Sequence, residues 1–250
     1  MKPLRRFFAL ALASASQALA CQHTELPART SPLPATSDRQ PIVAAFVDVG
    51  SAPTHVAISR CEQIALATMT GSVQSEGETL GPGDVLLVAG EGNLDLRGGG
   101  VAVLAAFRER PCKEGSERQK RVVRASTAPE LTWAGGAMHA HLDLEKDVSP
   151  SAYVGRLEGS APVAEHAHAE TWEVLCALEA AGTFTLDGVP QHLGSRTCVS
   201  VPPNVKHSWK PDEGTKLVAV QFYDPPGPEQ RFKKLAQDQQ AGGKGVDAGR

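Results

Sequence analysis

The alternation of apolar and polar positions along the chain predicts an almost entirely β protein. Short apolar runs rich in Val, Leu and Ala alternate with segments that contain Gly, Pro and Asp, as expected for strands joined by tight turns. In the first half, strands are predicted at Ile42 to Val49, His55 to Ile58, Gln63 to Met69, Val85 to Ala89 and Val101 to Phe107. These runs indicate a first β-rich unit.

The second half follows the same pattern with stronger turn signals. Strands are predicted within Thr132 to Leu144 and at Trp172 to Leu178, Thr183 to Leu186, Val189 to Leu193, Thr197 to Val201 and Lys216 to Tyr223. The dipeptide Asp187-Gly188 is typical of a two-residue hairpin turn. Short antiparallel strands separated by Gly and Pro imply a β-sandwich or a small barrel.

Four residues of the second unit have the side chains and the spacing of a metal site. His166, His168 and Glu173 follow the pattern His-x-His-x4-Glu, and His207 begins a later strand. Because side chains on a strand alternate between its two faces, His166 and His168 point the same way. Closing the sheet into a barrel brings His207 against them. Three imidazoles and one carboxylate suit a divalent first-row metal.

Two neighbouring features compete with this assignment. Glu170 is a second carboxylate close to the histidines, but Glu173 is favoured because it leads into a strand. His139 and His141, followed by Glu145, form a similar pattern, yet a turn and not a strand follows Glu145. We interpret these two histidines as one face of a strand, placed where they could line the mouth of a cavity.

The two spacings together resemble the motifs of the cupin family. The first motif is matched by Gly159, His166, His168, Glu173 and Gly182. The second, Pro-x-Gly-x-x-His, is matched by Pro202 to His207, with Asn204 in the glycine position. Asn tolerates a left-handed backbone better than other non-glycine residues, so we expect the turn to be retained. The resemblance implies a double-stranded β-helix. The metal ligands that it implies are His166, His168, Glu173 and His207.

A weak internal repeat indicates that the first half is a degenerate copy of the same fold. The spacing from Glu62 to the next glycine matches that in the second half. In this register the first half keeps His55 and Glu62 at two ligand positions, whereas Ala57 and Leu94 occupy the other two. The predicted fold class is therefore all-β: two tandem cupin (double-stranded β-helix, jelly-roll) barrels, the first degenerate and structural.

The predicted boundaries follow the composition of the chain. Residues 1–20 form a signal peptide, 21–41 a linker, 42–110 the degenerate cupin domain, 111–130 a charged interdomain link, 131–228 the metal-binding cupin domain and 229–250 a partly disordered C-terminal tail. The link is expected to be exposed, and the tail is expected to hold a short helical turn from Glu229 to Ala236.

The N-terminus has the three parts of a secretory signal. Lys2, Arg5 and Arg6 precede a short apolar core, and Ala18-Leu19-Ala20 is a small-residue cleavage site. Cys21 stands where a bacterial lipoprotein is diacylated, and the Pro- and Ser-rich segment after it suits a tether. We predict an exported protein that is periplasmic or lipid-anchored in the bacterial envelope through Cys21. Secretion without a lipid is the alternative.

The charge of the chain limits the partners it can bind, and its cysteines allow disulfides. The formal net charge of the 250-residue chain is −3, which provides no basic surface for nucleic acid. We predict a small-molecule ligand or substrate, membrane contact only through a lipidated N-terminus, and a monomer or homodimer. The cysteines beyond Cys21 are Cys61, Cys112, Cys176 and Cys198. In an exported protein they form disulfides, with three pairings open, or remain buried thiols.

Two functions fit the predicted site. The first is a metal-dependent oxygenase (a dioxygenase) or isomerase acting on a small oxygen-rich molecule, with Fe, Mn, Zn, Ni or Cu as the metal and Glu173 as a candidate base. This function predicts a cavity lined by apolar residues such as Leu175, Leu186 and Val199. The second is a non-catalytic envelope protein that binds a metal or another small ligand. The sequence holds no nucleophile elbow, phosphate loop or dinucleotide fingerprint.

Overall fold

The computed structural model describes residues 37, 40–108, 117–144 and 152–241. The predicted signal peptide, the lipidation site Cys21, most of the linker, Cys112, Glu145 and residues 242–250 lie outside this range, so those predictions stay predictions. Within the described residues, no helix has the length and apolar character needed to cross a membrane.

The first half of the chain forms a seven-stranded antiparallel sheet. Its strands are β1 (Ile42–Val49), β2 (Thr54–Ile58), β3 (Glu62–Ser75), β4 (Glu78–Leu80), β5 (Val85–Ala89), β6 (Gly92–Arg108) and β7 (Gln119–Val123). The strand order is β1-β6-β3-β5-β7, with β2 paired to β6 and β4 paired to β3. β6 is longer than the apolar run predicted, because its first part pairs with β2 and its last part with β1.

Strand β7 occupies part of the segment predicted as an exposed interdomain link, and its first three residues are exposed. It pairs with β5 along its whole length, so the sheet of the first half extends beyond residue 110. The charged residues that suggested a link point outward and are paired: Arg118 with Glu76, at 2.7 Å, and Lys120 with Glu78, at 3.0 Å. High charge in this segment therefore marks the solvent face of an edge strand and not an unpaired linker.

The second half contains a six-stranded and a four-stranded antiparallel sheet. Its strands are β8 (Glu130–Trp133), β9 (Met138–Leu144), β10 (Tyr153–Gly159), β11 (Val163–His166), β12 (Trp172–Glu179), β13 (Ala181–Leu186), β14 (Val189–Gly194), β15 (Thr197–Val201), β16 (His207–Pro211) and β17 (Leu217–Asp224). The strand orders are β15-β12-β17-β10-β9-β8 and β11-β16-β13-β14.

In the second half, one turn lies where the sequence predicts it and another was not predicted. Asp187 and Gly188 join β13 to β14 with φ angles of 47° and 76°, as the hairpin prediction requires. The single strand predicted within Thr132 to Leu144 is instead a hairpin, because a 3-10 turn at Ala134–Gly136 divides β8 from β9. Gly135 and Gly136 both have positive φ and permit this reversal.

In the described part of the chain, apolar side chains form one core in each half, a third between them and a small fourth cluster around Tyr153 and Tyr223. The core of the first half is filled by aliphatic residues, with Leu94 and Leu96 fully buried. Between the halves, Phe107 of β6 meets Phe222 of β17 edge to face, with ring centroids 6.0 Å apart. The two halves therefore bury apolar surface against each other, which is a much larger contribution than any exposed ion pair.

One disulfide links neighbouring strands of the second half. Cys176 of β12 and Cys198 of β15 face each other directly across the antiparallel pair and are bonded. Cys61 is disulfide-bonded as well. The sequence alone left three disulfide pairings open, as well as free thiols. The strand register, which places Cys176 opposite Cys198, decides the pairing of these two cysteines.

The described chain ends with α1 (Gln230–Gln240), which corrects the predicted short turn and tail. The helix runs beyond Ala236, the predicted end, into the segment expected to be disordered. Phe232, Leu235 and Ala236 lie at helical spacing and give the helix one apolar stripe. Packing of this stripe against the second half orders a segment whose remaining residues are polar.

Candidate metal centre

The four predicted ligands converge on one point in the second half. His166 ends β11, His168 lies in the connection to β12, Glu173 belongs to β12, and His207 begins β16. Each offers one ligand atom, and these four atoms all lie within 4.8 Å of one another. We call these four residues the histidine–glutamate cluster.

Strand pairing explains how residues far apart in sequence meet. β11 and β16 are antiparallel, with His166 directly opposite His207 and their ring centroids 4.1 Å apart. β13 lies on the other side of β16, and a Cβ atom at Gly182 would overlap the backbone of Lys210 and the ring of Trp209. The motif glycine is therefore needed so that β13 can approach the strand that carries His207.

The distances within the cluster fit one bound cation. Metal–ligand bonds of about 2.1 Å at right angles place neighbouring ligand atoms about 3 Å apart. His168 Nε2 and His207 Nε2 each lie 3.0 Å from Glu173 Oε2. His207 Nε2 is buried without a hydrogen bond of good geometry, so it is a polar atom that a metal would satisfy.

Backbone and side-chain partners orient the ligands. The Nδ1 atoms of His166 and His207 lie 2.9 Å from Ala164 O and 3.1 Å from Val205 O. Donation of Nδ1–H to these carbonyls leaves each Nε2 lone pair available to a metal. Gln221 Nε2 donates to Glu173 Oε1 at 2.6 Å, which fixes the carboxylate and leaves Oε2 facing the histidines.

In the metal-free protein, the protonation states of His166 and Glu173 are those that a metal requires, whereas the raised pKa of His207 favours a proton that a metal must displace. Burial lowers the pKa of His166 to about 4, so this imidazole is neutral at pH 7. Burial opposes ionisation of Glu173, but contacts with His168 and His207 outweigh it and lower the pKa of this carboxyl. For His207, burial is outweighed by Glu173, which raises the pKa. A carboxylate that holds its proton this weakly is suited to ligation, which favours a ligand role over a base role for Glu173.

Asn204 adopts the backbone conformation that the motif glycine would have. Its φ angle is 63°, in the left-handed region. Its backbone N–H donates to His168 O at 2.7 Å, and its side-chain amide donates to Ala169 O at 3.0 Å. The substitution therefore retains the turn and adds a hydrogen bond to the segment that carries His168.

A cavity of about 570 Å³ opens beside the cluster, within the size range of small-molecule sites. His166, Glu173 and His207 lie in its wall. The rest of the wall is mostly apolar and includes Trp133, Leu157, Val163, Leu175, Phe184, Trp209, Leu217, Phe232 and Leu235. The cluster thus faces a mostly apolar cavity, which leaves one side of a metal site open to a ligand.

The predicted cavity residues are only partly correct. Leu175 lines the cavity, whereas Leu186 and Val199 are absent from its wall and pack in the surrounding core. Neither His139 nor His141 lines it; His139 contacts Glu130 instead, at 2.8 Å.

The rival carboxylate and the first-half positions form no comparable site in the described residues. Glu170 is exposed, whereas Glu173 is buried. His55 is exposed and paired with Asp95 at 2.6 Å, and Glu62 is buried and accepts from Ser59 N at 3.3 Å. Leu94, in the position aligned with His207, is fully buried in the aliphatic core. The first half has thus replaced a ligand position with core packing.

Three site residues were not foreseen from the sequence: Trp209, Gln221 and Tyr223. Trp209 follows His207 by two positions on β16, and Gln221 and Tyr223 are two apart on β17, so each pair shares one face of its strand. A polar Gln at an inward position of an otherwise apolar strand was the available signal. Burial raises the pKa of Tyr223 well above its usual value, so its phenol stays protonated.

Comparison with known proteins places the fold. No protein-family model and no curated protein sequence matches the chain. Among solved structures, oxalate decarboxylase is similar with a TM-score of 0.57 at 11% identity, covering 74% of this chain and 69% of that chain. Salicylate 1,2-dioxygenase from Pseudaminobacter salicylatoxidans has a TM-score of 0.52 at 12% identity, covering 77% and 73%. Vicilin from Solanum melongena has a TM-score of 0.55 at 9% identity, covering 76% of each chain.

These neighbours are cupin-fold proteins, and this chain shares their all-β jelly-roll fold. The neighbours include enzymes and a vicilin, so the shared fold leaves the reaction open.

Proposed function

We propose that this protein binds one divalent transition metal at the histidine–glutamate cluster and acts as a metal-dependent oxygenase or isomerase on a small oxygen-rich molecule. From the N-terminal sequence we also infer export to the bacterial envelope, through a signal peptide and lipidation of Cys21. Both steps go beyond the fold and rest on the residues of this chain.

The observation that carries the enzymatic proposal is the position of the cluster in the cavity wall. Three of its four residues line the cavity, and the ligand atom of the fourth, His168, lies within 4.8 Å of theirs. Four protein ligands leave one or two coordination positions of a five- or six-coordinate metal, and these would face the cavity. A closed structural site has no such exposed side.

Residues around the cluster are suited to holding a small substrate. When bound, a divalent metal supplies Lewis-acid or redox activation of a substrate oxygen. Phe184, Leu175 and Trp209 present apolar surface that excludes water from the same space. Tyr223 remains a neutral phenol and therefore offers a hydrogen-bond donor there.

The test uses the full-length protein, stripped of metal and reloaded in turn with each divalent cation. Oxygen uptake with catechol and rearrangement of a small hydroxyaldehyde followed by NMR probe the two reaction classes. The proposal predicts turnover that requires the metal, is lost in His168→Ala and is retained in the control His139→Ala. Full metal loading with neither reaction would sink the enzymatic proposal.

Capture of a small ligand without turnover is the second candidate. Outside the cluster, the cavity wall in the described residues contains no other imidazole and no thiol, and its remaining ionisable side chains are Tyr223, Arg231 and Asp238. Asp238 is paired with Lys234 at 2.7 Å. This scarcity of acid–base groups favours binding, and a ligand-dependent change in the spectrum of the Co²⁺-loaded protein without product would support it.

A further inference from the structure

Helix α1 completes the cavity that holds the histidine–glutamate cluster. Five of its residues lie in the cavity wall: Arg231, Phe232, Leu235, Asp238 and Gln239. The motifs that identify the metal ligands end at His207, so this wall comes from a part of the chain that those motifs do not cover.

The helix is fixed in this position by specific contacts. The ring of Phe232 stacks on Trp133 of β8, with centroids 5.2 Å apart and planes 14° apart. Gln239 Oε1 accepts a hydrogen bond from Gly135 N at 2.9 Å, and Ala236 is buried. The first turn and the last turn of α1 are thus both attached to the β8–β9 hairpin, which holds Arg231 at the cavity.

Arg231 is the cationic side chain of the cavity wall among the described residues. Arg231 thus lies in the same wall as His166, Glu173 and His207. By contrast, Lys234 on the same helix is 72% exposed and absent from the wall. The helix therefore directs one of these two cations towards the cavity and the other towards solvent.

The charges in the cavity favour an anion. With a divalent metal bound, the wall would carry two positive charges of the metal and one of Arg231 against the negative charges of Glu173 and Asp238, and Asp238 is itself paired with Lys234 at 2.7 Å. A ligand that carries acceptor oxygens and negative charge suits Arg231, whereas the apolar wall suits the remainder of the ligand.

We propose that Arg231, presented by α1, is the specificity-determining residue of this cavity and selects a small carboxylate with an apolar body. This inference deepens the proposed function, since the ligand would sit beside the proposed metal. It nevertheless concerns a residue outside the metal-binding cluster, and it is tested without any measurement of turnover.

The experiment compares benzoate with benzamide, which share a similar shape and differ in charge. Trp133 and Trp209 both lie in the cavity wall, so tryptophan fluorescence reports binding in metal-free and Zn²⁺-loaded full-length protein. The wild type should bind benzoate more tightly than benzamide. Arg231→Gln should weaken benzoate binding by about 10- to 100-fold and leave benzamide within about twofold, because a charge-assisted hydrogen bond is lost.

Two further variants complete the design. Lys234→Gln removes the same charge from the same helix at an exposed position and should change neither dissociation constant by more than about twofold. Arg231→Lys keeps the charge without the planar fork and should give an intermediate value for benzoate. Thermal melting of each variant confirms that α1 remains docked.

The possible outcomes test the role of Arg231 separately from the presence of a metal site. Equal binding of benzoate and benzamide by the wild type, or equal loss of both in Arg231→Gln, would overturn the role of Arg231. Failure of the protein to take up metal would contradict the proposed function, while the comparison of Arg231 variants in metal-free protein still decides the anion preference. Metal uptake without any dependence on Arg231 would contradict this inference alone.

Discussion

Asn204 provides a direct test of the reasoning about the second motif. Its φ angle of 63° is costly for most side chains, and its amide donates to Ala169 O at 3.0 Å. Gly at this position loses the side-chain hydrogen bond but has no left-handed penalty. Ala loses the same hydrogen bond and also meets that penalty. The backbone hydrogen bond from Asn204 N to His168 O is available to both variants.

These contributions give an order of stability. Loss of an exposed hydrogen bond costs about 0.5–1.5 kcal/mol, and a left-handed Ala costs roughly 1 kcal/mol more than Gly. We therefore expect Asn204→Gly to destabilise the metal-free protein by about 1 kcal/mol and Asn204→Ala by about 2 kcal/mol. A gap of 1 kcal/mol corresponds to about 2–4 °C in melting temperature for a chain of this size.

Thermal unfolding followed by circular dichroism, in the presence of a chelator, measures both variants. Asn93, an exposed residue within β6, provides the matched control, since Gly in an extended strand is less favourable than Ala. The order at position 93 should accordingly be reversed, with Ala the more stable variant. If Ala is as stable as Gly at position 204, the left-handed turn is not what this position requires.

Two further predictions concern protonation and packing. Burial lowers the pKa of His207 but is outweighed by Glu173, which raises it, so metal affinity should increase as pH rises through that pKa. The stability that protonated His207 gives the metal-free fold should be lost over the same pH range. Calorimetric titrations at several pH values measure the metal affinity, and an affinity that does not change with pH would contradict the prediction. Phe222→Ala should lower the free energy of unfolding by about 3–5 kcal/mol, and by less when Phe107 is already Ala, because the two rings contact each other. Urea denaturation of the single and double variants measures both values, and additive losses would exclude direct coupling.

The histidine–glutamate cluster was accessible from the sequence because its determinants are local. His166, His168 and Glu173 lie within eight residues of sequence, at the end of β11, in the connection after it and in β12, and the second motif supplies His207. The prediction that His166 and His168 share one strand was wrong, because β11 ends at His166. The hairpin at Asp187-Gly188 was accessible for the same reason, since two residues with positive φ define the turn.

The parts that were missed depend on contacts between distant segments. Strand β7 was predicted to be part of a linker because its sequence is highly charged. Its pairing with β5 is seen only in the register of the sheet. The docking of α1 depends on Phe232 meeting Trp133, about a hundred residues earlier in the chain. Leu186 and Val199 were placed at the cavity by strand position alone, but both pack in the surrounding core. Propensity and spacing do not encode these placements.

The central claim is that one cation binds at the histidine–glutamate cluster, and metal content after reloading tests it most directly. Elemental analysis of the full-length protein, dialysed against a limiting divalent cation, should give one metal per chain. His168→Ala should lower the affinity by at least about 100-fold, since even loss of an outer-shell partner costs 10–100-fold, whereas His139→Ala should bind as the wild type does. Equal metal content in all three proteins, or none in the wild type, would contradict the account.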